Sequence, residues 1–285
     1  PAGICGDSGH VVPPELWRDL NAKENLRTLA PPGTIPPQSM WPAGQLDGLR
    51  VAGPVFVKAA GGLSTGGGFL VRYCDSPETL AAALRWFSTR PGVEQVIIES
   101  EVHVTAAWCV NIAVHDGGVS VAGAVEQLFS APGRQSGSIV DPQQAMPASG
   151  LDLARAIGEA AGMRGFRGLA GIDIGVGPEQ MPYAFDPNFR ITFSTSQALL
   201  HDSAALRSGL PVSLSVNEFV PTAMPDLLSR FRGPVEEAWF VPTRLGDAAL
   251  LPSAKGLSNY MGFVMGRNRE DAIKRRDRLR TLAAS

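Results

Sequence analysis

Ala184-Phe185-Asp186-Pro187-Asn188-Phe189-Arg190 carries an acid, an amide and an arginine at alternate positions, directly after an apolar run. Upstream, Gly171-Ile172-Asp173-Ile174 places another acid on a second apolar run. Because successive side chains of an extended chain point to opposite faces, the three polar side chains of the first stretch are predicted to share one face. The connection between residues 177 and 182 is short and suits a hairpin that brings Asp173 alongside them.

Two carboxylates and an amide oxygen on one face would form a set of hard oxygen ligands. Asp173, Asp186 and Asn188 are therefore candidate ligands of a Mg²⁺ ion shared with a phosphate chain. Arg190 beside them is a candidate for holding an anion that develops during phosphoryl transfer. The alternative is a hairpin with polar residues on its solvent side. That alternative fits this stretch equally well, because acids on strands are common.

A glycine-rich segment lies between two predicted strands. Residues 53–58 form a short strand pattern that ends in Lys58, residues 61–68 are mostly glycine, and residues 69–73 form the next strand pattern. Glycine lets the backbone approach a ligand closely, and successive N–H groups can cradle phosphates. The segment is not a Walker motif, because no Gly-Lys-Ser/Thr ends it. A point charge at Lys58 could reach enclosed phosphates, although a flexible turn beside a surface lysine is the alternative.

Taken in order along the chain, these elements resemble the ATP-grasp superfamily of carboxylate ligases. Lys23, in the segment Asn-Ala-Lys, matches the lysine that opens the family's nucleotide-binding unit, and residues 96–102 resemble its hinge strand. The resemblance implies metal ligation by Asp173, Asp186 and Asn188, and catalytic roles for Arg190 and Lys58. It implies ATP contacts from Lys23 and Lys58, from the loop residues Ser64, Thr65, Gly66 and Gly67, and from the hinge residues Glu99, Ser100 and Val102.

The fold implied by the resemblance is the α+β ATP-grasp fold, in which two α+β subdomains grip ATP between antiparallel sheets. Residues 1–50 are expected to form a partial N-terminal segment and linker that includes the first ATP-contacting lysine. Residues 51–105 are expected to form the small (lid) subdomain, and residues 106–285 the large subdomain with the metal site and a C-terminal strand–helix element. The N-terminal domain that the family carries before this lysine is expected to be absent or truncated, so a fragment of a longer protein is one explanation.

Two departures from the family pattern stand out. Asp186 occupies a position where the family usually has glutamate, and the acid that often binds the ribose has no clear counterpart near Thr105. The ribose contact is therefore unassigned. The missing ribose acid, together with the N-terminal domain expected to be absent or truncated, keeps open a nucleotide-binding module without catalysis.

The resemblance implies a ligase that uses ATP and Mg²⁺ to convert a carboxylate into an acyl-phosphate, which an amine then attacks with release of ADP and phosphate. A carboxylase-like enzyme that uses bicarbonate is a further alternative. Segments such as residues 165–173 and 262–266 resemble bacterial peptide ligases of natural-product pathways, the pheganomycin type. The sequence selects neither substrate; amino acids and peptides are candidates, with Arg134, Arg164 and Arg167 as candidate carboxylate clamps.

Composition narrows the class of protein. The chain has 285 residues and a formal net charge of −2, which argues against nucleic acid as a primary partner. Its three cysteines have no metal-ligand spacing, and this favours the reducing cytoplasm. No apolar run approaches the roughly 20 residues of a membrane span, so no membrane partner is expected. A homodimer is left open.

Several further elements follow from local signals. Ser76 followed by Pro77 predicts the start of a helix, and residues 107–129 alternate as a hairpin. Residues 131–147, rich in Pro, Gly, Ser and Gln, are expected to form a long functional loop. Asn268 is expected to cap a last helix that carries six basic residues. We interpret those charges as a solvated helix face rather than a site for an anionic partner.

Overall fold

The computed structural model describes residues 12–46, 48–61, 70–250 and 256–285, and these ranges contain six α-helices and twelve β-strands. The helices are α1 (Pro14–Asn21), α2 (Pro77–Ser88), α3 (Ala148–Met163), α4 (Phe193–Ser208), α5 (Met224–Glu236) and α6 (Arg269–Ala284). The strands are β1 (Gln38–Pro42), β2 (Val55–Ala59), β3 (Val71–Cys74), β4 (Gln95–Ser100), β5 (Ala106–His115), β6 (Gly118–Ala131), β7 (Arg134–Val140), β8 (Gly168–Val176), β9 (Pro182–Asn188), β10 (Val212–Val220), β11 (Phe240–Gly246) and β12 (Ser258–Gly266).

The chain divides into two compact units. The first unit consists of Pro1–Ala122, Phe129–Ser136 and Met146–Thr192, and the second of Gly123–Leu128, Gly137–Ala145 and Phe193–Ser285. Strands β6 and β7 therefore contribute residues to both units. The three-part division expected from the sequence assigns residues by their role in the family, whereas these two units are defined by compactness. The three-part division therefore stays a prediction.

One sheet of the first unit has the strand order β1-β4-β2-β3 and is antiparallel throughout. Its two faces differ because side chains alternate along each strand. One face packs against α2 and forms a core that includes Val57, Ile98 and Phe87. Helix α2 begins as predicted, since the Ser76 side chain accepts a hydrogen bond from the Thr79 backbone N–H and Pro77 occupies the first turn. The opposite face carries the polar residues described below.

A second sheet region of the first unit contains β5, β8 and β9. Strand β8 lies between the other two and pairs antiparallel with both. Helix α3 covers this region, and its Ile157 is fully buried. Gly158 allows the close packing, because a Cβ there would lie 2.6 Å from the Ile112 side chain. The buried apolar residues of β8 thus hold its polar residues at fixed positions.

The second unit contains an antiparallel sheet with the strand order β7-β10-β12-β11. Its apolar core includes Leu214, Phe231, Phe240 and Tyr260. Helix α6 begins at the predicted cap, since the Asn268 side chain accepts a hydrogen bond of 2.9 Å from the Asp271 backbone N–H. Within the described ranges, no helix combines the length and the apolar character needed to cross a membrane.

Three elements differ from the sequence-based expectations. Strand β7 lies inside residues 131–147, for which a loop is expected, so that prediction was wrong. The strand escapes detection because its Ser138 is polar yet fully buried, with its hydroxyl donating to Gln197 at 2.7 Å. Strand β1 lies in a proline-rich stretch, and Pro42 is accommodated at its end on the edge of the sheet. Helix α5 was not predicted either, and Pro234 lies inside it.

Candidate active site

Asp173 of β8 lies directly opposite Asp186 of β9. Directly opposed residues of an antiparallel pair have side chains on the same face, so the two predicted acids are neighbours. The register then shifts by one residue, because Ile174 pairs with Ala184 and leaves Phe185 as the extra residue of a bulge. A bulge re-aims the side chains that follow it. The predicted hairpin is confirmed, whereas its bulge was not predicted.

Asn188 and Arg190 continue the polar face beyond the acids. Asn188 lies opposite Gly171, is 9% exposed and accepts a 2.7 Å hydrogen bond from Arg190 Nη2. A Cβ at Gly171 would lie 2.9 Å from Cys109 Sγ and 3.0 Å from the Thr192 side chain. This position opposite Asn188 therefore has room only for glycine. Arg190 follows the end of β9 and reaches back to Asn188, rather than alternating within the strand.

Asn21, at the end of α1, fixes the backbone between these two residues. Its Oδ1 accepts a 3.0 Å hydrogen bond from Phe189 N, and its Nδ2 donates to Phe189 O at 3.5 Å and to Trp17 O at 2.8 Å. Asn21 is 5% exposed, so these bonds are shielded from water. The role of Asn21 was not predicted, although it belongs to the Asn-Ala-Lys segment that drew attention to Lys23. The segment's asparagine therefore has a structural explanation of its own.

Lys23 begins a 3-10 helix over Lys23–Thr28, two residues after Asn21. Its Nζ pairs with Asp186 Oδ2, and the two side chains are 13% and 26% exposed. The predicted first ATP-contacting lysine is thus brought to a predicted metal ligand. A lysine ammonium and a carboxylate that lie together in a partly buried place compensate each other's charge.

Lys58 and Glu99 lie on the face of the first sheet that α2 does not cover. Lys58 lies opposite Ile97, and Glu99 is two residues further along β4, so both project to that face. Lys58 Nζ donates to Glu99 Oε1 at 2.6 Å and to Phe185 O at 3.3 Å. The residues are 6% and 5% exposed. Because the bulge leaves Phe185 outside the ladder, its carbonyl is free to accept this bond.

Of the other residues predicted to contact ATP, the hinge residues lie in the described part of the chain and the loop residues do not. Ser100 is the last residue of β4, but its backbone N–H donates to Pro37 O at 2.8 Å, so a ligand would have to use another of its groups. Val102 follows β4 in an irregular segment. The loop residues Ser64, Thr65, Gly66 and Gly67 lie outside the described residues, and their predicted roles stay predictions.

Two of the three candidate carboxylate clamps already have acidic partners. Arg164 donates to Asp19 Oδ2 at 3.1 Å. Arg167 donates to Asp116 Oδ1 at 2.8 Å, and this hydrogen bond lowers the pKa of Asp116. Arg134, in contrast, makes no ion pair within the described ranges. Its charge adds to burial, the larger cause, in lowering the pKa of Arg72.

The assembled residues define the chemical character of the site. Asp173, Asp186 and Asn188 offer carboxylate and amide oxygens, which suit a hard divalent cation. Lys23 and Lys58 supply positive charge at Asp186 and at the neighbouring Phe185 carbonyl. Such a combination of oxygen ligands and buried cations is suited to a metal-bound polyphosphate. Together with the antiparallel sheets, it places the protein in the class of ATP-grasp proteins.

The family comparison agrees with this class. A family model described as "L-aspartate--L-methionine ligase, ATP grasp" matches residues 39–188, a little over half of the chain. The chain belongs to this ATP-grasp family. The predicted family and fold class are therefore confirmed. The family is one of ATP-dependent ligases that act on small molecules, so the protein is assigned to that broad group of enzymes.

Solved structures of low sequence identity share the fold. An L-amino acid ligase from Bacillus licheniformis is 14% identical with a TM-score of 0.60, over 95% of this chain and 73% of the other. N5-carboxyaminoimidazole synthase from Aspergillus clavatus, in complex with ADP and 5-aminoimidazole ribonucleotide, is 13% identical with a TM-score of 0.61, over 94% and 74%. Biotin carboxylase from Campylobacter jejuni is 15% identical with a TM-score of 0.57, over 92% and 65%. At these identities the likeness establishes the fold alone.

Proposed function

We propose that the protein is an ATP-dependent carboxylate–amine ligase that forms an amide bond through an acyl-phosphate. The observation that carries the proposal is the convergence of Lys23 and Lys58 on the hairpin that opposes Asp173 and Asp186. The family description, which names an L-aspartate–L-methionine ligase, supports an amine as the acceptor. The fold shared with an L-amino acid ligase is consistent with this choice.

The residues present fit both ATP and Mg²⁺. Asp173, Asp186 and Asn188 would hold the metal, which supplies charge neutralisation at the phosphates when bound. Lys23 and Lys58 would contact the phosphate chain. For each lysine this means exchanging an acid partner, Asp186 or Glu99, for a phosphate oxygen. Such an exchange keeps every ammonium group paired with an anion, while Asp186 would bind the metal and the buried Glu99 would have the adenine as its new partner.

The proposed reaction has two steps, and the protein contributes positioning and charge. An oxygen of the substrate carboxylate bonds to the γ-phosphorus as the bond to the β–γ bridging oxygen breaks, and ADP leaves. The amine nitrogen then bonds to the acyl carbon, the bond to the phosphate oxygen breaks, and the amine proton passes to solvent. Arg190, held by Asn188, would stabilise the negative charge that develops on the acyl group. No protein nucleophile is required.

Glu99, Ser100 and Val102 are proposed to hold the adenine, and residues Ser64 to Gly67 to contact the phosphates. For the substrate carboxylate we retain Arg134 as the clamp. Arg164 and Arg167 are engaged by Asp19 and Asp116, so recruiting either one would cost an existing ion pair.

The decisive experiment measures ADP release from Mg-ATP in the presence of amino acids, singly and in pairs, with mass spectrometry for the amide product. We expect ADP release that requires an amine, produces an amide and stops when EDTA removes the metal. A hydroxyl phosphate ester in place of an amide would contradict the proposal. Bicarbonate replaces the amino acids in a parallel reaction, and bicarbonate-dependent ADP release without an amine would favour a carboxylase-like enzyme instead.

A further inference from the structure

Glu24 connects the segment of Lys23 to the strand of Lys58. Its Oε1 accepts a 3.0 Å hydrogen bond from the backbone N–H of Gly61, which is 37 residues away in the sequence. Gly61 follows β2, and the preceding residue, Ala60, donates its own N–H to Gln95 O at 3.0 Å. The Glu24 contact therefore satisfies the next backbone donor beyond that sheet bond. It fixes the backbone just past Lys58 through a side chain next to Lys23.

The position of Glu24 relative to the sheet supports this connection. Glu24 borders a small cleft together with Met40 and Ile97, and both of these lie in strands of the first sheet. Ile97 lies directly opposite Lys58 and shares its face. Across this cleft, the short helix with Lys23 and Glu24 therefore borders the same face that presents Lys58 and Glu99.

The neighbouring contacts make this helix a common support for several parts of the site. Asn21 binds the backbone of Phe189, Lys23 pairs with Asp186, and Glu24 binds Gly61. The segment of four residues from Asn21 to Glu24 therefore reaches the end of β9, a predicted metal ligand and the end of β2. Of these three contacts, only that of Glu24 reaches the backbone that follows the strand of Lys58.

We propose that Glu24 is a positioning residue for nucleotide binding, which sets the separation between Lys23 and Lys58 so that both meet one phosphate chain. This inference rests on the proposed function, since it requires that the two lysines bind ATP. A misplacement of about 1 Å in a binding group can reduce activity roughly a hundredfold, so a single tether of this kind has a measurable effect.

The two oxygens of the Glu24 carboxylate are in different situations. Oε1 receives the bond from Gly61, whereas Oε2 is buried and has no hydrogen-bond partner within the described residues. A buried acceptor without a partner is destabilising, so this side chain is not the best choice for stability alone. The bond from Gly61 needs one acceptor oxygen at the right reach, and either a carboxylate or an amide of that length supplies it. The reach of the side chain, rather than its charge, is therefore the property to test.

The test compares three substitutions at Glu24 by calorimetric titration with ATP in Mg²⁺ and with adenosine. Glu24→Ala removes the acceptor, and we expect the Kd for ATP to rise about tenfold, while the Kd for adenosine changes less than about twofold. Glu24→Gln keeps the acceptor and its reach, so it should stay within about twofold of the unaltered protein. Glu24→Asp keeps the charge but loses one methylene of reach, and we expect it to weaken ATP binding as Glu24→Ala does. Glu159→Ala, an exposed glutamate on α3, is the matched control and should leave both Kd values unchanged.

Each contrary result identifies what has failed. An unchanged Kd for ATP in Glu24→Ala would overturn the positioning role, as would equal losses of ATP and adenosine affinity. Weakening in Glu24→Gln as large as in Glu24→Ala would assign the effect to charge and also overturn it. Thermal melting of each variant checks folding, and Glu24→Asp keeps the question answerable where Glu24→Ala does not fold. If the unaltered protein binds no ATP, the proposed function itself fails. The results with the Glu24 variants, by contrast, test only the positioning role.

Discussion

Two lysines of the first unit and one arginine of the second unit are paired differently with acids. In the first unit, each of the two lysines described above has a single acid partner: Lys23 pairs with Asp186 and Lys58 with Glu99. In the second unit, Arg269 is shared by two acids, Glu126 and Asp141. The hydrogen bond from Arg269 to Glu126 is the largest cause of a raised Arg269 pKa.

Buried polar groups of the second unit are also connected in series. Ser138 donates to Gln197, Gln197 Nε2 donates to Ser213 Oγ at 3.0 Å, and Ser213 Oγ lies 2.9 Å from His201 Nδ1. Groups bound by several partners fix one packing arrangement, because removing any partner leaves the others unpaired. A cation with one acid partner can instead exchange it for a ligand anion. We infer that groups bound by several partners mark a scaffold, whereas a cation with a single, exchangeable acid partner marks a site.

The strongest test of this comparison is Asp186→Asn. Loss of one carboxylate should reduce amine-dependent ADP formation by roughly a hundredfold or more, because a metal ligand contributes several kcal/mol of charge stabilisation. Stability should fall by only about 1 kcal/mol, since Asp186 is partly exposed and Lys23 keeps access to solvent. Steady-state kinetics and urea unfolding measure the two effects. Asp152→Asn on α3, whose side chain is 71% exposed, is the control. Unchanged turnover and unchanged Mg²⁺ dependence would remove Asp186 from the site.

Lys58→Ala should have the next largest effect. Loss of a charge-assisted contact costs about 1.5–3 kcal/mol, so the Kd for ATP should rise roughly tenfold to a hundredfold. Adenosine, which lacks phosphates, should bind nearly as before. Competition titrations measure both, with Lys274→Ala as the control, because the Lys274 side chain is 71% exposed. Equal weakening of ATP and adenosine binding would show that Lys58 supports the fold rather than the phosphates.

Arg269→Met tests the other side of the comparison. Its removal leaves Glu126 and Asp141, whose side chains are 16% and 9% exposed, without their shared cation. The free energy of unfolding should fall by about 2 kcal/mol, less than for a fully buried pair because the Arg269 side chain is 35% exposed. Urea unfolding measures the loss, and Arg267→Met, whose side chain is 76% exposed, should change stability by less than about 0.5 kcal/mol. If Arg269→Met instead weakened ATP binding and left stability unchanged, Arg269 would belong to the site rather than to the scaffold.

The smallest expected effect concerns pH. Burial lowers the pKa of His201, while the charge of Asp202 opposes this. Because its folded pKa lies below the ordinary value of 6.5, the unfolded chain takes up more protons as pH falls through that value, and folded stability falls. At higher pH both states are neutral at this residue. The urea midpoint should therefore drop more between about pH 7.5 and 5.5 in the unaltered protein than in His201→Gln. His115→Gln, at an exposed histidine, should keep the full drop, and identical pH dependence of all three would contradict the prediction.

Local signals were sufficient to predict the elements that carry the acids. The alternation in β9 and the short connection to β8 predicted the hairpin, and Ser76 and Asn268 predicted the starts of α2 and α6. These features depend on residues within a few positions of each other. Spacing alone does not predict that Lys23 meets Asp186, because their contact joins residues far apart in the sequence. Only the family resemblance assigned both residues to one nucleotide site, and it did not predict their contact.

The missed features share a dependence on distant partners. Strand β7 looks like a loop until Ser138 is seen to bond with Gln197 and, through its backbone N–H, with Ser215 Oγ at 2.7 Å. The roles of Asn21 and Glu24 depend in the same way on Phe189 and Gly61. The basic α6 is interpreted from sequence as a solvated face, but Arg275 and Arg278 lie over the Trp239 ring at 5.8 and 5.3 Å. Composition reveals the charge of such residues but not their partners.

The bulge at Phe185 determines which changes of length this hairpin could accept in evolution. In a regular ladder of the same sequence, the pairing of Ile174 with Ala184 would continue and place Asp186 opposite Ile172, on the other face of the sheet from Asp173. The extra residue therefore places the two acids on the same face of the sheet. A relative that lacked this one residue would reach the same acid pair through a regular ladder, but it would lose the carbonyl that accepts the bond from Lys58. A gap at this position in an alignment would thus mark chains that keep the acids and hold the lysine by other means.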